Sequence, residues 1–314
     1  MRWLLPSLCL VVSWGALVLV GGLQGFGRAP LAPRDDPGAF AAAADARMRA
    51  GCVGSVFLAL LRDGVVRHEQ ACSVGDPVDR ESVFQVASLG KWITAWGVMA
   101  LVETGRIELD APVERYLTRW HLPEGGYDTR AVTVRRLLAH TAGLTDALGY
   151  DGFAPGERIQ TLEESLTRAA DAGEHAAGAV VVGRAPGSAW QYSGGGYTLL
   201  QLVIEEVTGK SFEDFMQDAV LGPLGMRHST FDWRRAERSG LATTYDAHGR
   251  PTPVRRFTAV AAASLYTSAA DLVRFVRAHL PGPHGEPIGR GVLDPATVLQ
   301  MRTPEAAILG RDVW

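Results

Sequence analysis

Residues 82–91 read Ser82-Val83-Phe84-Gln85-Val86-Ala87-Ser88-Leu89-Gly90-Lys91, and the pair Ser88 and Lys91 decides how the rest of the chain is read. The segment that follows is apolar nearly all round (Trp92, Ile93, Ala95, Trp96, Val98, Met99, Val102). That pattern predicts a buried, central helix from about Ser88 to Glu103, with Gly105 where a C-terminal cap belongs. On a helix, positions i and i+3 share a face, so the amine of Lys91 can sit beside the hydroxyl of Ser88. A serine hydroxyl is a poor nucleophile until a base takes its proton. Lysine can be that base only if its pKa falls from about 10.4, and burial against apolar side chains lowers it. The helix N-terminus also directs backbone N–H groups toward a developing oxyanion.

An S-x-x-K match alone is a weak signal; its setting adds weight. Lysine is scarce: Lys91 and Lys210 are the two lysines among 31 basic residues, the others being arginine. Lys210 follows Gly209 ahead of a charged segment and reads as a solvated surface group.

N-terminal to this helix, Val53–Leu61 and Val65–Cys72 flank Arg62-Asp63-Gly64. Asp-Gly between two apolar runs signals a β-hairpin. Its turn places Cys52 and Cys72 roughly opposite each other, as a disulfide or as two small buried thiols. Further upstream, Trp3 to Gly22 carries no charge. The stretch is near the roughly 20 residues of a membrane-spanning helix and longer than the roughly 7–15 of a usual signal core. An uncleaved anchor and a cleaved signal both take the rest of the chain out of the cytoplasm, where a disulfide persists; a cytosolic core helix is the third reading. The expected organisation is residues 1–27 as anchor or signal peptide, 28–45 as linker, with a first helix starting around Ala41–Arg49, and 46–314 as a catalytic domain in the cell envelope.

C-terminal to the helix, Val132–Leu138 reads as a short helix leading into the turn His140–Leu144. Thr161–Glu164 is a capping box, and Val180–Gly183 a short strand. A helix opens at Gly194–Gly196 and is stopped by Gly209. Another starts at Ser211 and breaks at Pro223. Ser268–Asp271 caps a last amphipathic helix with Leu272, Phe275 and Val276 inward.

Composition excludes several classes. The 314 residues, 47% hydrophobic and 21% charged, describe a globular protein with a real core. A net charge of −3 argues against a nucleic-acid partner. Three cysteines are too few for a disulfide scaffold, and the eight histidines lack metal-ligand spacing. No cofactor is called for. Glu163-Glu164, Glu205-Glu206 and Asp35-Asp36 read as solvated charge at caps, helix faces or the linker. The oligomeric state is not fixed by the sequence.

The segment 82–91 resembles the acylation motif of the class C β-lactamase and penicillin-binding-protein-like serine hydrolases. Residues 105–117, 133–144, 186–197, 223–226 and 265–272 resemble that family's later blocks in the right order, so the resemblance spans about residues 50–280. It implies an α/β (α+β) β-lactamase/DD-peptidase-like fold: an antiparallel sheet flanked by helices, plus a mostly helical subdomain. It implies Ser88 as the acylated nucleophile, its own N–H as an oxyanion donor, Lys91 as the activating base and Tyr192 as the second base. His140 is then structural rather than a triad base, there being no identifiable orienting acid. The implied substrate is an ester, an amide or a β-lactam, small or peptidoglycan-like, with membrane association through the N-terminal segment; a catalytically impaired sensor or an inactive fragment is the alternative.

Two departures from the family pattern matter. Its second block reads Tyr-x-Asn, where this chain has Tyr192-Ser193-Gly194. Gly194, at the substrate-binding position, offers no amide, which favours an ester or a D-amino-acid-type substrate. Its third block, Lys-Thr-Gly or His-x-Gly on a late strand, has no counterpart here, since no lysine follows residue 210 and His284-Gly285 has the wrong spacing in a Pro/Gly-rich loop. The sheet is therefore expected to lack its C-terminal strands.

Overall fold

The computed structural model describes residues 30–146, 149–174, 176–308 and 311–313, and for 307–308 and 311–313 the backbone alone. The expected anchor or signal at 1–27 lies outside the described residues. Among those described, no helix is long and apolar enough to cross a membrane.

The chain divides after Gly51 into two units. In the first, helix α1 spans Pro37–Ala50, starting earlier than the alanine run suggested and crossing the expected boundary at 45/46. Asp36 caps it, its side chain accepting from the Ala39 N–H at 2.8 Å, and Pro37 takes the first helical position, where its missing N–H is harmless.

The second unit opens with the hairpin of β1 (Ser55–Arg62) and β2 (Val65–Ser73), antiparallel, with Val56 opposite Cys72. Asp63 and Gly64 both have positive φ (54° and 71°), the backbone of a two-residue hairpin turn whose twist suits the strands. A register shift between Leu60 and Leu61 kinks the ladder. A disulfide joins Cys52 to Cys72, with Cα atoms 6.4 Å apart.

The body that follows is mainly helical. Strand β3 (Val83–Gln85) runs through a 3-10 turn at Ala87–Leu89 into α2 (Gly90–Glu103). Then come α3 (Val134–Leu138), capped by Thr133, and α4 (Leu162–Arg168), with the full capping box of Thr161 and Glu164. Helix α5 (Gly194–Thr208) ends on Gly209 in the left-handed conformation. Helix α6 (Phe212–Met216) continues as a π turn to Leu221, and α7 spans Trp233–Arg238. Strands β4 (Thr244–Tyr245) and β5 (Pro251–Thr252) pair with each other. Helix α8 (Val260–Ala263) precedes β6 (Tyr266–Ser268), which pairs antiparallel with β3. Helix α9 (Ala269–Ala278) and α10 (Pro295–Gln300) follow. The last pair, β7 (Ala306–Ile308) and β8 (Arg311–Val313), was not anticipated, and joins neither hairpin strand.

One core unites these helices, with Trp96, Ile93, Leu199, Leu200, Phe212, Phe231 and Phe275 almost fully buried. At roughly 1.5–3 kcal/mol per fully buried large apolar side chain, this cluster dominates the stability of the body. Helix α8 lies against both α2 and α5. Its four residues, Val-Ala-Ala-Ala, are small enough to let three backbones meet.

Three expectations shift. Trp92 is 43% exposed, because α2 buries the face of Lys91, Ile93, Thr94, Trp96 and Val98 instead. In α9 the fully buried positions are Ala270, Asp271, Val273, Phe275 and Ala278, with Leu272 and Val276 half-buried. At 180–183 the expected strand reduces to a single bridge between Val182 and Leu144.

Candidate active site

Ser88 lies on the 3-10 turn that leads into α2. Ala87, directly before it, has φ +44°, an unfavourable conformation for alanine that costs about 1–3 kcal/mol. This strained bend carries the hydroxyl into the site. Lys91, one turn on, is 7% exposed. Its Nζ donates to Ser88 Oγ at 3.0 Å and to the Ala262 carbonyl at 2.6 Å. Thr94, one turn further along α2, donates to the neighbouring Ala261 carbonyl at 2.9 Å, so two hydrogen bonds tie α8 to the catalytic face.

Burial pushes the Lys91 amine down from the ordinary lysine range to about 7, while Asp146 pulls the other way. Desolvation wins because no counter-charge touches the amine: the Tyr192 and Tyr197 rings face it, with centroids 5.0 and 5.6 Å from Nζ. At neutral pH a large fraction of Lys91 is therefore an uncharged amine able to accept the Ser88 proton.

Tyr192 arrives from the loop before α5 and donates its OH to Ser88 Oγ at 2.9 Å. Burial raises its pKa, opposed by the bond to Ser88, so the phenol stays protonated. Ser88 thus stands between an amine that can take a proton and a phenol that can give one.

His140 takes no part in that contact. Its Nδ1 accepts the Ser193 N–H at 3.2 Å, and its ring packs against Tyr192 with centroids 4.5 Å apart. Burial, and then the Lys91 charge, hold it down to about 4. A neutral imidazole accepting a backbone N–H is a support for the tyrosine loop.

Gly194, the candidate substrate-binding residue, is buried at the start of α5. A Cβ there would lie 2.7 Å from Tyr150 Cε2. The Tyr150 ring, anchored by its OH to Thr198 Oγ1 at 2.8 Å, fills the space a side chain at 194 would need. Sequence reasoning missed Tyr150, and it missed Asp146, a 5% exposed carboxylate that accepts Ser193 Oγ–H at 2.5 Å and the Gly195 N–H at 2.8 Å. Neither carries a local signal: one is an aromatic, the other an acid, on the loop after His140. Lys210 is exposed and pairs with Asp218 at 2.8 Å. Glu205, Glu206 and Glu163 all pair with Arg119, a surface charge network.

A groove of about 770 Å³ runs beside the site between α2, α9 and α10, lined by Trp92, Met99, Leu138, His140, Tyr197 and Val276 among others. Ser88, Lys91 and Tyr192 do not line it, so the geometry around Ser88, not this groove, marks the site.

A serine within hydrogen-bond reach of a buried lysine and a tyrosine, at the entry to a helix packed against other helices, fits the class of serine hydrolases that shares the β-lactamase/DD-peptidase fold. Residues 40–311 match the beta-lactamase family model, and the chain belongs to that family. It is similar to penicillin-binding protein 4 of Amycolatopsis lactamdurans, with 31% identity over 83% of this chain and 68% of the relative. It is similar to esterase EstB of Burkholderia gladioli, with 34% identity over 65% of this chain and 52% of the relative. Among solved structures, the octameric penicillin-binding protein homologue of Pyrococcus abyssi superposes with a TM-score of 0.64 at 27% identity, over 82% of this chain and 58% of that one. The chain thus spans part, in places about half, of these relatives' length.

Proposed function

We propose that this protein hydrolyses an acyl substrate through an acyl-enzyme on Ser88. The observation that carries the proposal is Ser88 Oγ held 3.0 Å from Lys91 Nζ and 2.9 Å from Tyr192 OH. Neutral Lys91 takes the hydroxyl proton as Oγ bonds to the carbonyl carbon, and the Ser88 N–H at the helix entry stabilises the oxyanion. Collapse breaks the acyl bond; Tyr192 gives its proton to the departing oxygen or nitrogen and regains one from the Lys91 ammonium. Water then attacks the acyl carbon and gives its proton to the same pair, which returns one to Ser88 Oγ as the acyl–Oγ bond breaks and the acid leaves.

An ester or a D-amino-acid-type acyl donor fits best. Tyr150 occupies the room where an asparagine amide at position 194 would meet a substrate amide, and the similarity to an esterase points the same way. The uncharged stretch from Trp3 to Gly22 and the Cys52–Cys72 disulfide support a place in the cell envelope, through a membrane anchor or after signal cleavage, with small or peptidoglycan-like molecules as partners. A second reading, acylation without turnover as in a sensor, is favoured by the same loss of the amide at 194.

A fluorophosphonate and a fluorescent penicillin test both. Labelling at Ser88, lost in Ser88→Ala, is expected; labelling that survives Ser88→Ala overturns the assignment. Steady release of p-nitrophenol from a p-nitrophenyl ester separates hydrolysis from a single stoichiometric acylation.

A further inference from the structure

Asp146 has a geometry that helix capping alone does not explain. Ser193 already caps α5, its Oγ accepting the Gly196 N–H at 2.8 Å. Behind that cap the structure buries a carboxylate, which is unfavourable unless it is compensated. Its compensation is local: Oδ1 accepts Ser193 Oγ–H at 2.5 Å and Oδ2 the Gly195 N–H at 2.8 Å, at the positive end of a 15-residue helix. Ser193 N–H meanwhile donates to His140 Nδ1 at 3.2 Å. The residue that directly follows Tyr192 is therefore gripped from three sides, by Asp146, by the helix and by His140.

The same carboxylate acts on the catalytic amine. The groups that touch Lys91 are Ser88 on its own turn, the Ala262 carbonyl from α8, and the Tyr192 and Tyr197 rings from the α5 side; neutral His140 and Asp146 couple to it electrostatically. Of these, Asp146 is the one acid. We infer that Asp146 is a positioning residue of the Ser88 site: it fixes Ser193, and with it the Tyr192 phenol, and it holds a negative charge behind Lys91. This rests on the acyl-enzyme reading above. The charge opposes the desolvation of Lys91; burial in turn raises the Asp146 pKa, against which the Ser193 and Gly195 hydrogen bonds and the Lys91 charge hold the carboxylate ionised.

The scarcity of lysine makes the charge directly readable. The full chain grown with ¹³Cε-lysine gives two side-chain NMR signals, from Lys91 and Lys210, and exposed Lys210 serves as the internal reference. Asp146→Asn is expected to move the Lys91 midpoint to lower pH by at least roughly half a pH unit, with Lys210 unmoved. Asp146→Ser, smaller and still able to accept from Gly195, gives the same reading should the amide not be accommodated. Ser193→Ala removes one tie but leaves the charge. It is expected to slow fluorophosphonate acylation about tenfold with the Lys91 midpoint in place. A Lys91 midpoint that stays put in both Asp146 variants overturns the charge role; an unchanged acylation rate in Ser193→Ala overturns the positioning role. A wild-type chain that is never acylated instead defeats the hydrolase reading, while the NMR titration still decides the charge role.

Discussion

The hairpin and the helical body are stabilised by different means. No residue of β1 or β2 is fully buried, whereas α2 buries Lys91, Ile93, Thr94, Trp96, Val98, Met99 and Leu101, and α5 buries everything from Gly194 to Ile204. The hairpin is held by its ladder, by the Cys52–Cys72 disulfide, by the Ser55–Ser73 hydroxyl pair at 2.9 Å, and by Arg277 Nε donating to the Gly64 carbonyl at 2.6 Å. A two-stranded ribbon alone is marginal in water. The candidate site lies in the body, where burial shifts a lysine and packing holds a tyrosine against Ser88. The hairpin contributes no group to the Ser88–Lys91–Tyr192 contact.

This contrast can be broken most severely at Lys91. Lys91→Met removes the base, and Ser88 acylation by a fluorophosphonate should fall by about 10²–10⁴, measured by gel fluorescence against time. The same substitution should stabilise the fold. The folded-state pKa near 7 lies below the unfolded 10.5, so at pH 7–10 the unfolded chain binds more protons and wild-type stability rises with pH through that window. Lys91→Met should gain on the order of 2–4 kcal/mol near pH 7, read from denaturant midpoints, and flatten that slope. In the wild type, acylation should rise as pH passes upward through about 7.

Next in size is Phe275→Ala in α9. This ring is fully buried against Trp92, Trp96 and His279, so its loss should destabilise the body by about 3–5 kcal/mol, seen as a lower urea midpoint. Replacing both cysteines, Cys52→Ser with Cys72→Ser, should cost about 2–3 kcal/mol. It should speed amide exchange in 55–73 while Ser88 labelling persists; a loss of labelling would mean the two regions are coupled.

The smallest effect lies at Asp171, a buried carboxylate that meets at most weak bonds from the Asp171 and Gly152 N–H groups. Burial, with Asp151 adding repulsion, pushes it up from 3.8 to about 6. The folded state therefore binds more protons between about pH 4 and 6, and stability is lost as pH rises through that window. Asp171→Asn should remove that dependence and add about 1–2 kcal/mol at pH 7, measured by thermal melts at pH 4.5 and 7.

Short-range features are legible in the sequence. The Asp63-Gly64 turn, the caps at Thr161, Ser211 and Ser268, and the stop at Gly209 all follow from bonds within four residues. Tertiary partners, not local sequence, choose which helix face is buried. The exposure of Trp92 and the buried stripe of α9 depend on which neighbours pack there, and an all-round apolar helix does not state its own phase.

The sequence by itself determined the Ser88–Lys91 pairing, because residues three apart on a helical turn share a face whatever surrounds them. The tertiary structure decided what that pairing can do. The Ala262 carbonyl comes from 171 residues away and the Tyr192 hydroxyl from 104, while Tyr150 fills the space at Gly194 and Asp146 stands behind the amine. Desolvation and electrostatics are set by everything packed around a group, so the acidity of Lys91 belongs to the fold and not to the motif.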